Sequence, residues 1–160
     1  MLLALLLAQA APGPAKPACP APPAALPVEY AGWTAGRTLT AATEPAAVGD
    51  AILTVGRGAR AALKPAGALK LPVAPKRRGA HGGLFAFEAN TAGRYRVALG
   101  AAHWVEVVAN GAAIPSVAHG HGPDCTPVRK FVDWDLKPGR YLLQVTGDPA
   151  AVQLLLAKLG

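Results

Sequence analysis

Residue types that can bind a metal or carry a proton are concentrated in one short segment, His119-Gly120-His121-Gly122-Pro123-Asp124-Cys125. Two histidines separated by one residue project to the same side of an extended chain. With the thiolate of Cys125, and with His103 nearby in the predicted sheet, they could hold iron, copper or zinc. The alternative is a solvent-facing loop that ends in a disulfide.

The same segment could also carry nucleophilic chemistry. Cys125 paired with His119 or His121 would resemble a thiolate pair, with Asp124 as the one neighbouring group able to orient it. An oxidised cysteine cannot act in this way. The sequence has no glycine-rich phosphate loop and no paired carboxylates on one inward face. We therefore assign no catalytic residue, and the sequence leans against an enzyme.

The chain contains two cysteines, Cys19 and Cys125. In an exported protein this number predicts one disulfide. The disulfide would close a loop of about 100 residues, and the chain-entropy model predicts that such a disulfide stabilises the folded state by about 4–5 kcal/mol. It would also fasten a proline-rich N-terminal arm to the domain. The rival interpretation is two free thiols, with Cys125 kept for chemistry.

The N-terminal residues predict export. Residues 1–11 combine an apolar run with Ala8-x-Ala10, the pattern of a signal peptide. Residues 12–28 form a Pro/Ala-rich linker, and residues 29–160 form a single domain. The apolar run is shorter than the roughly 20 residues that a membrane span needs, so no transmembrane segment is predicted. The expected location is the periplasm or the cell exterior.

The charge balance is basic, with 16 Lys and Arg against 9 Asp and Glu and a net charge of +7. Such a balance is typical of proteins that meet nucleic acid or anionic surfaces. We expect no nucleic-acid partner, because the chain is predicted to be exported and has no pattern of stacked aromatic and basic residues. The candidates for anion contacts are Arg129, Lys130, Lys76, Arg77 and Arg78. Alternatively, these are solvated loop charges and charges that protect a strand edge.

Apolar and polar residues alternate along several short segments. Val132, Trp134 and Leu136 are predicted to face inward, and Asp133 and Asp135 outward. This period of two, broken repeatedly by Gly, Pro and Asn, is typical of strands that bury one face. The sequence thus predicts an all-β fold, an antiparallel β-sandwich or jelly roll of about eight strands, after the proline-rich arm.

Turn signals fix the expected pairing. Asn110-Gly111 predicts a tight hairpin that begins with the apolar strand opened by Trp104, which we expect in the core. Residues 52–55 and 59–63, on either side of a glycine-rich turn, predict a second hairpin.

Part of the chain is similar to a known family. Phe85-Ala86-Phe87, the run from Ala92 to Val97, Cys125 and residues 132–141 resemble the bacterial pre-peptidase C-terminal domain. The resemblance covers roughly residues 83–157. It implies a small jelly-roll sandwich of the kind appended to secreted enzymes, with binding or processing roles.

A second resemblance concerns the Cys-Pro-rich arm, an exposed Trp, His-x-His-x-x-x-Cys and Arg129-Lys130. It is to short exported proteins of sphingomonad-type bacteria that carry the name homogentisate 1,2-dioxygenase. The enzyme with that name is a larger cupin that uses ferrous iron held by two His and one Glu. The cupin Glu position is Cys125 or Thr126 here, so the carboxylate would have to come from Asp124 or Glu106.

Two functional hypotheses follow. The first is a non-catalytic binding or accessory module of the cell envelope without a cofactor, whose partner is an envelope ligand or protein. The second is a small metal-binding or metal-dependent dioxygenase-like protein centred on His119, His121 and Cys125.

Overall fold

A computed structural model describes residues 13–160, so the predicted signal peptide lies outside the described residues. These residues form eleven β-strands and three single-turn 3-10 helices (Val28–Tyr30, Pro45–Ala47 and Ala66–Ala68), with no α-helix among them. The strands are β1 (Arg37–Thr40), β2 (Gly58–Ala62), β3 (Lys64–Pro65), β4 (His81–Ala89), β5 (Gly93–Leu99), β6 (Trp104–Ala109), β7 (Ala112–Ile114), β8 (Ala118–His121), β9 (Lys130–Leu136), β10 (Gly139–Gly147) and β11 (Ala151–Lys158).

The strands form two sheets that pack as a sandwich, which confirms the predicted fold class. One sheet has six strands in the order β1-β2-β11-β5-β9-β8, and the other has five in the order β3-β4-β10-β6-β7. The structure has eleven strands against the predicted number of about eight, and β1, β3, β7 and β8 are only two to four residues long.

The core lies between the two sheets and follows from the alternation in the sequence. Leu99 of β5 and Leu143 of β10 are completely buried, and the predicted inward residues Val132, Trp134 and Leu136 of β9 are all buried. Burial of each large apolar side chain stabilises the fold by about 1.5–3 kcal/mol. The indole Nε1 of Trp134 donates to the carbonyl oxygen of Ile114 at 3.0 Å, so the one polar atom of that side chain is also satisfied.

One strand pair in the described residues, β1 with β2, is parallel. The connection between these strands, residues 41–57, crosses to the other sheet. There Ala42 bridges Leu84, and Ile52 bridges Ala86, both on β4. After this crossing the chain enters β2 in the direction of β1, as a parallel pair requires.

The outer face of the six-stranded sheet is covered by the N-terminal part of the domain. Tyr30 and Trp33 are buried there against Ala98, Val128 and Leu155. The cover also changes one expectation. Asp133 faces outward as predicted, but only 3% of its side chain is exposed, because Arg96 pairs with it and the Tyr30 hydroxyl accepts a bond from the same guanidinium.

The proline-rich arm is tied to the domain by a disulfide between Cys19 and Cys125, with 5.2 Å between the Cα atoms. This confirms the predicted pairing. The backbone N–H of Ala24 donates to the carbonyl oxygen of Cys125 at 3.1 Å. The exposed ammonium of Lys16 lies 2.8 Å from the carboxylate of Asp124. The arm therefore contacts the loop that follows β8.

The hairpin between β6 and β7 has the two-residue turn that Asn110-Gly111 predicts, with φ of 51° and 74°. We expect Gly111→Ala to lower the free energy of unfolding by about 1–2 kcal/mol, because an L-residue is disfavoured in the left-handed region. A Cβ at Gly111 would meet no atom within 4 Å, so the loss would come from the backbone alone. The measurement is urea unfolding.

Gly67→Ala is the matched control for this substitution. Its Cβ would also meet nothing within 4 Å, and its φ is not positive. We expect a neutral or stabilising effect at Gly67, because alanine narrows the unfolded ensemble. Equal losses at the two positions would contradict the backbone argument.

Candidate functional site

The two histidines of the predicted chemical segment lie on β8, at the edge of the six-stranded sheet. His119 is opposite Val132, and His121 is opposite Lys130. Side chains directly opposite each other in a ladder point to the same face. Both histidines therefore share the inner face with Lys130, and both are exposed.

The other two predicted metal ligands are engaged elsewhere. The sulfur of Cys125 is bonded to Cys19, so it is not a thiolate. The ring of His103 is completely buried, and its Nε2 lies 3.0 Å from the carbonyl oxygen of Pro149. That ring packs so closely on Gly147 that a Cβ at Gly147 would overlap it.

Within residues 13–160, no three His, Cys, Asp or Glu side chains are grouped so that they could hold a metal ion. The structure brings His119 and His121 to one face of β8, whereas Cys125 is bonded to Cys19 and the ring of His103 lies against the carbonyl oxygen of Pro149. A metal ion bound by the two histidines of β8 stays a prediction.

A cleft of about 320 Å³ opens beside these histidines, and we name it the Trp104 cleft. It lies where the inner face of β8 and β9 meets the start of β6. No acidic residue is among those that line it in the described part of the chain. The lining residues are Ala102, Trp104, Val105, Ser116, His119, Gly120, His121, Arg129, Lys130, Phe131 and Val132.

Lys130 is the central cation of the Trp104 cleft. Its Nζ lies 5.5 Å from the centroid of the Trp104 ring and donates to the backbone carbonyl oxygen of His103 at 2.9 Å. Burial lowers the pKa of the Lys130 ammonium, and the positive charge of Arg77 lowers it further. The ammonium is thus partly desolvated and repelled by a second cation.

That second cation comes from the other predicted basic segment. The guanidinium carbon of Arg77 lies 5.9 Å from the centroid of the Trp104 ring. Thr146 is opposite Trp104 in the β6–β10 ladder, and its hydroxyl donates to the carbonyl oxygen of Arg77 at 2.6 Å. Trp104 and the backbone of Arg77 are therefore held by neighbouring strands of one sheet.

The remaining anion candidates are distributed around this point. Arg129 lines the Trp104 cleft. Arg78 lines a separate cavity of about 360 Å³ next to Thr146. Lys76 is exposed. Of the two sequence-distant basic segments, the structure thus brings Arg77 and Lys130 to the same indole ring.

Trp104 is the residue whose role the sequence did not predict. We expected it in the core, but it is only half-buried and forms a wall of the cleft. Polar residues on the same face of the sheet could have indicated this position. Glu106, two residues later, and its cross-strand partner Gln144 show that this face of β6 is not part of the apolar core.

The chain matches no protein-family model and no curated protein sequence. The similarity of residues 83–157 to pre-peptidase C-terminal domains therefore stays an interpretation of the strand and turn pattern. No helix of residues 13–160 is long and apolar enough to span a membrane.

Proposed function

We propose that the protein is a non-catalytic binding module that works outside the cytoplasm, and that the Trp104 cleft binds an anion. The observation that carries this proposal is the convergence of Lys130 and Arg77 on one indole ring. Since no acidic side chain lines the cleft in the described residues, Lys130 has no protein carboxylate there to neutralise it. Charge-assisted hydrogen bonds to an anion would fill that role.

The charge distribution over the rest of the molecule supports this choice of site. Asp124, Asp133, Asp135 and Glu44 form the four ion pairs of the described residues, with Lys16, Arg96, Arg94 and Lys70 respectively. None of these partners lines the Trp104 cleft. The cations at the cleft are thus part of the excess that gives the chain its net charge of +7.

The proposed compartment is supported by the disulfide. Disulfides persist in oxidising environments such as the periplasm and the cell exterior. The pairing of Cys19 with Cys125 and the signal-peptide pattern of residues 1–11 agree in this respect. In such a compartment the protein would act as an accessory module for a ligand or protein of the cell envelope.

The anion site is tested by NMR titration with sodium sulfate, with the ionic strength held constant by sodium chloride. We expect the indole N–H resonance of Trp104 to shift and that of Trp134, which is bonded to Ile114, to stay in place. Lys130→Met should weaken sulfate binding about tenfold or more, because it removes a charged hydrogen-bond donor. Lys137→Met, at an exposed turn position, is the matched control and should bind as the wild type does.

Two outcomes would contradict the proposal. One is a Trp104 resonance that moves neither with sulfate nor with a singly charged carboxylate such as acetate. The other is an equal response in Lys130→Met and in the wild-type protein. The unchanged Trp134 resonance verifies that each variant is folded.

A further inference from the structure

The Trp104 cleft has a charged side and an apolar side. Lys130 lines the cleft, and the guanidinium of Arg77, which is not among the lining residues, adds positive charge near the indole ring. Val105, Val132 and Ala102 are also among the lining residues and offer no polar side-chain atom. A bare inorganic anion would contact the cations and leave the apolar wall without a partner.

We infer that the ligand is an organic acid with a carboxylate at Lys130, near the positive charge of Arg77, and an apolar body along Trp104, Val105 and Val132. This inference rests on the proposed anion site and names the class of ligand that the site takes. The apolar body would be removed from water against the walls of the cleft, which adds a favourable contribution that grows with the buried area.

The size of the cleft limits the size of the acid. A volume of about 320 Å³ holds roughly ten water molecules at about 30 Å³ each. An acid of about ten non-hydrogen atoms fits this space. Octanoate and phenylpropionate both have this size, and they differ in whether the apolar body is a chain or a ring.

The state of Lys130 favours one negative charge over two. Its ammonium makes a hydrogen bond to the carbonyl oxygen of His103 and is partly desolvated. The free-energy cost of removing an anion from water rises steeply with its charge, and apolar walls make no hydrogen bonds that would offset this cost. A carboxylate therefore loses less hydration than a doubly charged phosphate does.

The experiment compares acetate, octanoate and octanol as probes, read from the Trp104 indole resonance of the full disulfide-bonded protein. Each buried methylene strengthens binding by about threefold to fourfold, so octanoate should bind at least about thirtyfold more tightly than acetate. The substitution Lys130→Met should weaken the binding of octanoate about tenfold and leave the binding of octanol unchanged. Phenylpropionate in place of octanoate shows which kind of apolar body the cleft prefers.

A second variant protects the test against a folding defect in the first. The side chain of Arg77 is exposed, and the contact that holds this segment is made by the backbone carbonyl oxygen of Arg77, which accepts a hydrogen bond from Thr146. Arg77→Gln should therefore fold normally and bind octanoate several-fold more weakly. Arg140→Gln, at an exposed position of β10 outside the lining of the cleft, is the control and should bind octanoate as the wild type does.

The outcomes separate the inference from the proposed function. If acetate and octanoate bind equally tightly and both depend on Lys130, the proposed anion site stands and the inference that the ligand has an apolar body is wrong. If octanol binds as tightly as octanoate, the inference that the ligand has a carboxylate is wrong. If no probe shifts the Trp104 resonance and sulfate also fails to do so, both the inference and the proposed function are wrong.

Discussion

An Arg96→Met variant is expected to unfold with a free energy about 3–5 kcal/mol below that of the wild-type protein. The guanidinium donates two hydrogen bonds to the carboxylate of Asp133, at 2.8 and 2.9 Å. Only 15% of the Arg96 side chain and 3% of the Asp133 side chain are exposed. The substitution therefore leaves a carboxylate under the N-terminal cover without a countercharge.

The surroundings of Arg96 add to this effect. Its guanidinium lies 3.8 Å from the centroid of the Phe131 ring and donates to the Tyr30 hydroxyl at 3.1 Å. The hydrogen bond to Asp133 raises the pKa of Arg96 above its usual value, so the guanidinium stays charged. Loss of the guanidinium removes a contact between the sheet and the segment that covers it.

Arg94→Met is the matched control for this prediction. Arg94 and Asp135 form the same two-bond geometry in the same pair of strands. Their side chains are 47% and 57% exposed, and exposed pairs contribute about 0–1 kcal/mol. The measurement is urea unfolding, which gives the free energy of unfolding of both variants and of the wild-type protein. Equal losses for Arg96→Met and Arg94→Met would show that the cover does not isolate Asp133 from water.

Removing the disulfide is expected to lower the free energy of unfolding by about 4 kcal/mol. Cys19 and Cys125 are 106 residues apart in sequence, and the chain-entropy model assigns about 4.7 kcal/mol to a loop of about 100 residues. The suitable variant is Cys19→Ser/Cys125→Ser. Cys125 has a φ of 60°, and serine keeps the Cβ atom, so the backbone penalty at this position stays the same.

The disulfide prediction has an internal control. Urea unfolding of the wild-type protein with and without a reductant should show the same loss as the double variant, and the double variant should not respond to the reductant. A difference below about 1 kcal/mol would show that the arm does not restrain the unfolded chain, against the entropic model.

Much of the fold could be predicted, because one buried face per strand leaves a period of two in the sequence. β9 and the Asn110-Gly111 hairpin lie where the alternation and the turn signal place them. The predicted hairpin of residues 52–55 with 59–63 was wrong. Ile52 instead bridges Ala86 of the other sheet, and local pattern carries no information about which sheet a short apolar segment joins.

The site was predictable only in its separate parts. The sequence indicated both basic segments as candidates for anion contacts, and it predicted the disulfide that occupies Cys125. It could not place Arg77 beside Lys130, because their meeting point depends on the packing of residues 76–78 against β10 through Thr146. It also placed Trp104 in the core, since an aromatic residue at the start of an apolar strand is more often buried there.

The central claim is that the Trp104 cleft holds a ligand with its charge at Lys130 and its apolar body on the indole ring. Intermolecular nuclear Overhauser effects between octanoate and the protein test it most directly. We expect cross-peaks from the octanoate chain to the ring protons of Trp104 and the methyl groups of Val105 and Val132, and their loss in Lys130→Met. Cross-peaks confined to residues outside the cleft, or unchanged in Lys130→Met, would contradict the claim.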